Sequence, residues 1–509
     1  MASLYQQVQN ALFNIGIGAA GVLGVVSIFL IKGVINSSSS KTHKRTSRRE
    51  KDAKYIHIND DILSRFSKAI QFETVSFSLR DDGKPDSPEE LLKLHAHIKD
   101  SFPHVHSSPL VKCEVINTYS LLYTINGSDS SLKPYLLISH LDVVPVTDQM
   151  WDVPQFEGLV KDGYIWGRGT IDVKNGVMGS LEALEVLLKT GHSPNRGFFL
   201  AFGHDEEVFG VYGAASIARE LVSRGVSLEF VQDEGLVIIE DIFPGITSPV
   251  ASIGVAEKGS MSVELRVDSS VGHASMPPKE SSIGILCNAI ARIERNPMPS
   301  TFGCGPEIEL FSGISSVVPL PLRIFTSNMW LFKPLVGWIL SRKVSTNALV
   351  RSTFAVTKIQ GGTKDNVIPA SATAHVNVRI HHGDTIDGII QHLRSCINDR
   401  RVHITTLEAK RESPIASSDS KSFGYNIIAS SIQDVFPNVV ITPGLLVGGT
   451  DSKHFQQLTS EVYRFMPSRF KMTDLPRFHG SNERISVENY EETINFYYSL
   501  MLNADETTL

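Results

Sequence analysis

The stretch GFFLAFGHDEEVFG, residues 197–210, decides how the rest of the chain is read. Phe198 to Phe202 form a short apolar run, the signature of a strand buried on both faces. The run ends in Asp205-Glu206-Glu207, three residues before Gly210. Like charges this close repel, so each carboxylate must be solvated, protonated or neutralised by a cation. Taken alone, an acidic triplet reads as a solvated loop. Its surroundings change that reading.

Moving outward, similar apolar runs alternate with amphipathic segments. PYLLISH (134–140) and LEFVQDEG (228–235) read as strands, and NGVMGSLEALEVLLKTG (175–191) and GAASIARELVSRG (213–225) as helices. Before them, DDILSRFSKAIQF (60–72) and SPEELLKLHAHIKDSF (87–102) have helical periodicity, the second with Ser87 as a cap and Glu90 three residues on. This alternation predicts an α/β fold with a mostly parallel mixed sheet flanked by helices.

After Val255 the pattern shifts. GSMSVELRVD (259–268) alternates as a half-exposed strand does, and SSIGILCNAIARIERN (281–296) follows as a helix. Then SATAHVNVRIH (371–381), TIDGIIQHLRSCI (385–397) and VHITTLEA (402–409) give strand, helix, strand. The expectation is a small α+β lid or dimerisation domain (256–410) inserted between two parts of a catalytic domain (55–255 and 411–509). Between its halves lies an unusually apolar insertion, residues 309–340.

With 509 residues, more than one domain is expected. A net charge of −6 gives no reason to expect nucleic acid. Four cysteines at unpaired spacings suggest neither a disulfide framework nor a zinc finger. The N-terminus differs from the rest. After a short segment (1–10), the apolar run from Ala11 to Ile31 is 21 residues long and uncharged, about enough to span a bilayer as an anchor helix. A polar tether (32–54) follows, with seven Lys/Arg against two acids between Lys41 and Lys54. The positive-inside rule would keep that flank cytosolic, whereas sequons at Asn36 and Asn126 point to the lumen.

Residues fit for metal binding recur where apolar runs end. LLISHLDVVP supplies His140 and Asp142, WGRGTIDVKNG supplies Asp172, FVQDEG supplies Asp233, and RFHGSNE supplies His479. In an open α/β sheet the carboxyl ends of strands are where ligands bind. Imidazoles and carboxylates gathered there suit a divalent metal.

In SHLDVVPV, WGRGTIDVKNG, GHDEEVFG, GHASMPP, NVIPASATAHVNVRIH, GGTDS and HGSNE the chain resembles the co-catalytic zinc metallopeptidases of the aminoacylase, glutamate carboxypeptidase and carboxypeptidase S kind. The resemblance runs from about Tyr55 to Asn503. It implies two zinc ions per subunit bridged by Asp172, one completed by His140 and Asp233, the other by Glu207 and His479. Glu206 is then the general base, facing a water held between the metals and differing from Glu207 because neighbouring side chains point apart, and Asp142 accepts the second ring N–H of His140. The resemblance also implies a cis peptide at Asp172-Val173. His273 would stabilise the oxyanion, in relatives often from the partner of a homodimer formed through the lid. Asn366, Arg379, Gly448 and Gly449 would hold a substrate carboxylate.

The expected reaction is hydrolysis of an amide beside a free carboxylate. The insert SNMWLFKPL (327–335) resembles the branch that acts on N-fatty-acyl amino acids and also occurs in the carboxypeptidase S branch. An N-fatty-acyl amino acid, cleaved and reversibly formed, is the expected substrate; a carboxypeptidase or dipeptidase is the alternative, and a non-catalytic carrier the remote third. The insertion itself fits core packing, an acyl groove or membrane contact. The resemblance implies a membrane-anchored or secreted enzyme with its catalytic domain outside the cytosol.

Overall fold

The computed structural model describes residues 55–241, 248–410 and 413–505. The expected anchor (11–31) and tether (32–54) lie outside these residues. Among the described residues no helix is long and apolar enough to cross a membrane.

The run quoted first is a strand, Phe198–Gly203, buried along its whole length. Its side chains alternate between two cores. Phe198, Leu200 and Phe202 pack with the helices Lys174–Lys189 and Val487–Asn503 on one face, while Phe199 and Ala201 pack with Ile217 and Leu221 of Ala214–Ser223 on the other. A strand that must be apolar on both sides can only be central, which is why the sequence here does not alternate.

Eight strands form the large sheet, in the order 111–116, 120–125, 198–203, 135–140, 231–239, 462–470, 250–257, 440–446. Tyr135–His140 runs parallel to both 198–203 and 231–239, and 440–446 runs parallel to 250–257. The sheet is more mixed than the alternation predicts. Val111–Ile116 and Ser120–Ile125 make an antiparallel hairpin along one edge, and 231–239 also pairs antiparallel with 250–257. The hairpin needs no crossover helix, so it escapes a pattern that seeks strands separated by helices.

The second sheet starts at Gly259, separated from the large-sheet strand Val250–Glu257 by Lys258 alone. Its four strands are antiparallel, in the order 353–361, 371–380, 259–268, 402–410. The helices Ser282–Arg295 and Ile386–Ile397 cover one face with Leu286, Ala289, Ile389 and Leu393. In Ser371–Ile380 the even-numbered residues are buried under those helices, which turns Asn377 and Arg379 to the opposite, open face. The edge strand Thr353–Gly361 is mostly exposed.

The apolar insertion divides in two. Phe311, Ile314, Val318, Met329 and Leu340 pack on Val250 and Val440, so the insertion covers the edge strand Val440–Leu446 of the large sheet. Gly313 lets the helix Glu307–Ile314 approach, since a Cβ there would lie 2.6 Å from Thr442 Oγ1.

Ser87 does not cap its helix as expected. Its side chain makes no cap hydrogen bond, and its hydroxyl donates instead to the carbonyl of Val75 at 3.0 Å. A partner on the preceding loop has displaced the local one.

His204, directly after the central strand, is 1% exposed, with Nδ1 2.7 Å from the Ser120 hydroxyl. Burial pushes its pKa down to about 4. The unfolded chain takes up this proton near pH 6.5, so stability is lost as pH falls from about 6.5 towards 4, by about 2 kcal/mol at pH 5. Urea unfolding at pH 7.5 and 5.0 tests this: His204→Asn should lose about 2 kcal/mol less than the native chain between the two.

Candidate metal and substrate site

Three parallel strands bring the site together. His140 ends Tyr135–His140, and Glu206 and Glu207 follow Phe198–Gly203 on a short 3₁₀ turn, Glu206–Val208. Glu206 and Glu207 diverge because of that turn, not because of strand alternation as the sequence suggests. The backbone after them is constrained: Phe209 has φ +85° and Gly210 φ +66°, and a Cβ on Gly210 would sit against the Asp451 carboxylate.

His140 Nε2 lies 3.1 Å from Asp172 Oδ1 and 3.3 Å from Glu234 Oε1. His479 Nε2 lies 3.0 Å from Asp172 Oδ2 and 3.5 Å from Glu207 Oε2. His140, Asp172 and Glu234 thus form one group of metal-ligand atoms and Asp172, Glu207 and His479 another, the atoms of each within 4.8 Å of one another. Asp172 belongs to both, one oxygen to each.

The third of these strands, Val231–Ile239, corrects the sequence reading. Asp233 does not face His140. Its Oδ2 accepts from Ser452 N at 2.7 Å and its Oδ1 from Glu234 N at 2.8 Å, beneath the site. Glu234 is turned to His140 instead. The cause is a bulge: Asp233 pairs with Arg464 and Leu236 with Phe465, leaving Glu234 and Gly235 outside the register. Gly235 takes φ +147°, and a Cβ there would lie 2.7 Å from Arg464 Cβ.

Asp142 is also placed differently. His140 Nδ1 donates to the main-chain carbonyl of Asp142 at 2.9 Å, with the carboxylate at 3.4 Å. A carbonyl only accepts, so Nδ1 carries a proton, and Nε2 is the ring atom turned towards Asp172 and Glu234. The Asp142 carboxylate accepts from Glu206 N and Glu207 N at 3.1 and 3.2 Å, and so holds the turn that carries both glutamates.

Glu483 was not singled out from sequence. Its Oε1 accepts from the N–H groups of Gly169, Ile171 and Asp172 at 3.0, 2.7 and 3.2 Å, and its Oε2 from buried Arg168. It shapes the loop that presents Asp172, where the peptide to Val173 is cis. The only sequence cue is its place in HGSNE.

Electrostatically this cluster calls for cations. Burial pushes the Glu206 and Glu207 carboxyls well up, reinforced by the Glu234 carboxylate for the first and the Asp172 carboxylate for the second. Glu234 rises to about 7, again through burial and then Asp172. Burial opposes a charge on Asp172, but the hydrogen bonds from His140 and His479 outweigh it and hold its carboxyl below the usual range. Buried Glu207 Oε1 has no hydrogen-bond partner among the described residues. Two imidazoles, three carboxylates and an oxygen left unsatisfied are a donor set that fits two divalent cations.

A cleft of about 210 Å³ opens above Glu206 and Glu207. Its other wall is the open face of the small sheet, which brings Arg379 and Asn377, with Lys258 from the link before that sheet and Lys453 and Gly449 from the large domain. A Cβ on Gly449 would lie 3.9 Å from Arg379 Nη1, so glycine and guanidinium face one another. Gly448, beside it, is half-buried. His273 and Asn366 come together elsewhere. They sit exposed at a two-stranded antiparallel ladder in which Gly272–His273 pairs with Val367–Ile368, and neither lines the cleft. Residues 309–340 do not line it either, so the expected acyl groove is not built from the insertion at this cleft.

Carboxylates and imidazoles paired for two cations, under a cationic wall, define a metal-dependent hydrolase of amide bonds. The chain belongs to peptidase family M20/M25/M40, whose model matches residues 136–503. It is 46% identical over 451 residues to the N-fatty-acyl-amino acid synthase/hydrolase PM20D1.1 of Danio rerio, covering 88% of this chain and 87% of the relative. With carboxypeptidase S of Saccharomyces cerevisiae it shares 30% over 497 residues, 87% and 84% of the two chains. Among solved structures, the metallo-carboxypeptidase Sso-CP2 of Sulfolobus solfataricus has the same fold, with a TM-score of 0.64 at 16% identity over 88% of this chain and all of that one.

Proposed function

We propose that this protein is a dizinc amidohydrolase that cleaves, and in reverse forms, the amide bond of N-fatty-acyl amino acids. The observation that carries the reading is the cleft between two unlike walls: buried carboxylates prepared for cations on one side and Arg379 of the small sheet on the other, with Lys258 and Lys453 also in the lining. Such a cleft suits an amide whose neighbour is a free carboxylate. The acyl group is suggested by the names of five relatives 40–46% identical to this chain, which are N-fatty-acyl-amino acid synthase/hydrolases, while a relative at 41% is a probable carboxypeptidase S-like protein of Dictyostelium discoideum.

His140, Asp172 and Glu234 would hold one zinc ion, and Asp172, Glu207 and His479 the other. When bound, the pair supplies Lewis acidity towards the amide carbonyl and a water acidified to near neutrality. Glu206 takes the proton of the attacking water and returns it to the leaving amine. Asp142 keeps Glu206 and Glu207 on their turn, and Glu483 keeps Asp172 in its loop. Arg379 grips the substrate carboxylate through a two-pronged hydrogen bond, with the Gly448-Gly449 backbone beside it. Microscopic reversibility gives the condensation by the same groups. His273 and Asn366, outside the cleft of their own chain, would act from a second copy joined through the small sheet. The segment 11–31 would anchor the enzyme with its catalytic domain outside the cytosol.

Arg379→Ala should lower kcat/KM by about 10- to 100-fold, mostly through KM, as loss of a charged hydrogen bond does. Steady-state kinetics on one N-acyl amino acid read the split.

A carboxypeptidase is the second reading, favoured by the relationship to carboxypeptidase S. Side-by-side turnover of N-oleoyl-phenylalanine and a panel of dipeptides by the zinc-loaded full chain separates the two. Acyl substrate preferred is the expected result; dipeptides preferred would replace the lipid amidase with a peptidase.

A further inference from the structure

The half of the insertion that faces solvent carries a second role. In the helix Met329–Leu340, Met329, Gly337 and Leu340 are buried against the body of the protein. The other side exposes Trp330 by 67%, Leu331 by 42%, Leu335 by 43%, Trp338 by 55% and Ile339 by 51%. Their spacing, i, i+1, i+5, i+8 and i+9, is one continuous stripe of a helix. Exposed Leu322 on the preceding helix Leu320–Ser327 and Val344 just beyond the stripe enlarge it. Single exposed apolar residues are ordinary, but a contiguous stripe marks an interaction site.

Charge says what kind of partner fits. From Leu310 to Lys364 the chain has seven Lys/Arg and no Asp or Glu, within a protein of net charge −6. Three of these cations are turned inward: Arg323 donates to Ser316 O, Lys333 to Gly303 O and Arg351 to Met298 O. Arg342 and Lys343 are exposed at the end of the stripe, and the Arg342 guanidinium lies 3.9 Å from the centre of the Trp338 ring. Two of the four tryptophans in the chain are on this one helix.

We propose that this helix lies on the surface of an anionic lipid bilayer, with Trp330 and Trp338 at headgroup level, Leu331, Leu335 and Ile339 in the acyl boundary, and Arg342 and Lys343 on lipid phosphates. Tryptophan with aliphatic residues on one face and basic residues at the rim is the pattern of an interfacial helix. A second copy docked face to face would meet this surface with the same segment, which between Leu310 and Lys364 has no Asp or Glu to answer Arg342 and Lys343. The uncharged segment 11–31 offers those cations no counter-charge, and the tether after it is itself basic. Only an anionic partner complements both the stripe and its rim. The inference is independent of which amide is cleaved, since it concerns a surface away from the cleft.

The test uses the full chain with vesicles of phosphatidylcholine and phosphatidylserine, 7:3, in which the phosphatidylcholine acyl chains are brominated, so that lipid contact quenches tryptophan fluorescence. The expected result is strong quenching on these vesicles that is nearly abolished in W330F/W338F, although Trp151 and Trp166 remain. In R342Q/K343Q the helix contact should weaken by about 25-fold, at roughly fivefold per cation. Equal quenching in the native chain and W330F/W338F would overturn the proposal, because contact would then come from elsewhere. Vesicle binding through the N-terminus without quenching of these tryptophans would overturn it too. So would a concentration-dependent shift of their emission without lipid, which would give the face to a second copy.

Discussion

Glu206→Gln lowers kcat on an N-acyl amino acid by about 10²- to 10⁴-fold, the range expected when a positioned general base is lost. The amide is the same size as the carboxylate but takes no proton. Nothing else in the site depends on the Glu206 side chain: the metal-ligand groups use His140, Asp172, Glu234, Glu207 and His479, and the turn is held through the Glu206 main-chain N–H to Asp142. Metal content by elemental analysis and the thermal midpoint should therefore stay at native levels while turnover collapses. A variant that keeps more than a tenth of native kcat with full metal would remove Glu206 from the proton-transfer role. The pH dependence has a definite origin. Without cations, burial and the Glu234 carboxylate push the Glu206 carboxyl well above its ordinary range, so it serves as a base at neutral pH only with positive charge beside it.

The second large effect separates two adjacent residues. Glu234→Gln should reduce bound metal from two ions per chain towards one and abolish turnover, because Glu234 Oε1 is the carboxylate 3.3 Å from His140 Nε2. Asp233→Asn should retain both ions. Its carboxylate is occupied by the N–H groups of Ser452 and Glu234, and the asparagine oxygen preserves one of those bonds. Supporting positions of this sort cost about 10- to 100-fold in metal affinity, which millimolar zinc in the assay offsets. Elemental analysis after dialysis, then activity at saturating zinc, reads both variants. The reverse outcome, with Asp233→Asn losing an ion and Glu234→Gln keeping two, would restore the assignment made from sequence.

These two neighbours show where sequence stops being informative. FVQDEG offers two consecutive carboxylates, and which one faces the site depends on the phase of the pleat. A bulge against Arg464 and Phe465 sets that phase, and the bulge is made by a strand more than 200 residues downstream. By contrast, His140, Asp172, Glu207 and His479 were all legible. Each sits at the end of an apolar run or in a short loop motif, and the structure brings His140 and His479 to 3.1 and 3.0 Å from Asp172 and Glu207 to 3.5 Å from His479. Arg379 and Gly449 also face one another at the cleft. His273 and Asn366 meet each other but not the cleft, a separation that no local pattern encodes.

Sequence alone determined the alternating elements, the inserted α+β unit and the residue types of the site, because periodicity, turn chemistry and charge density are local properties. GFFLAFGHDEEVFG specified a doubly buried strand and a carboxylate turn at its end by composition alone. Tertiary structure decided the rest. It set the antiparallel edges of the large sheet, the choice of Glu234 over Asp233, the use of Asp142 to hold a turn and of Glu483 to shape a loop. It also divided the apolar insertion between a buried half and an exposed stripe. In each case the deciding partner lies far along the chain, and the geometry of a contact exists only once both ends have been brought together.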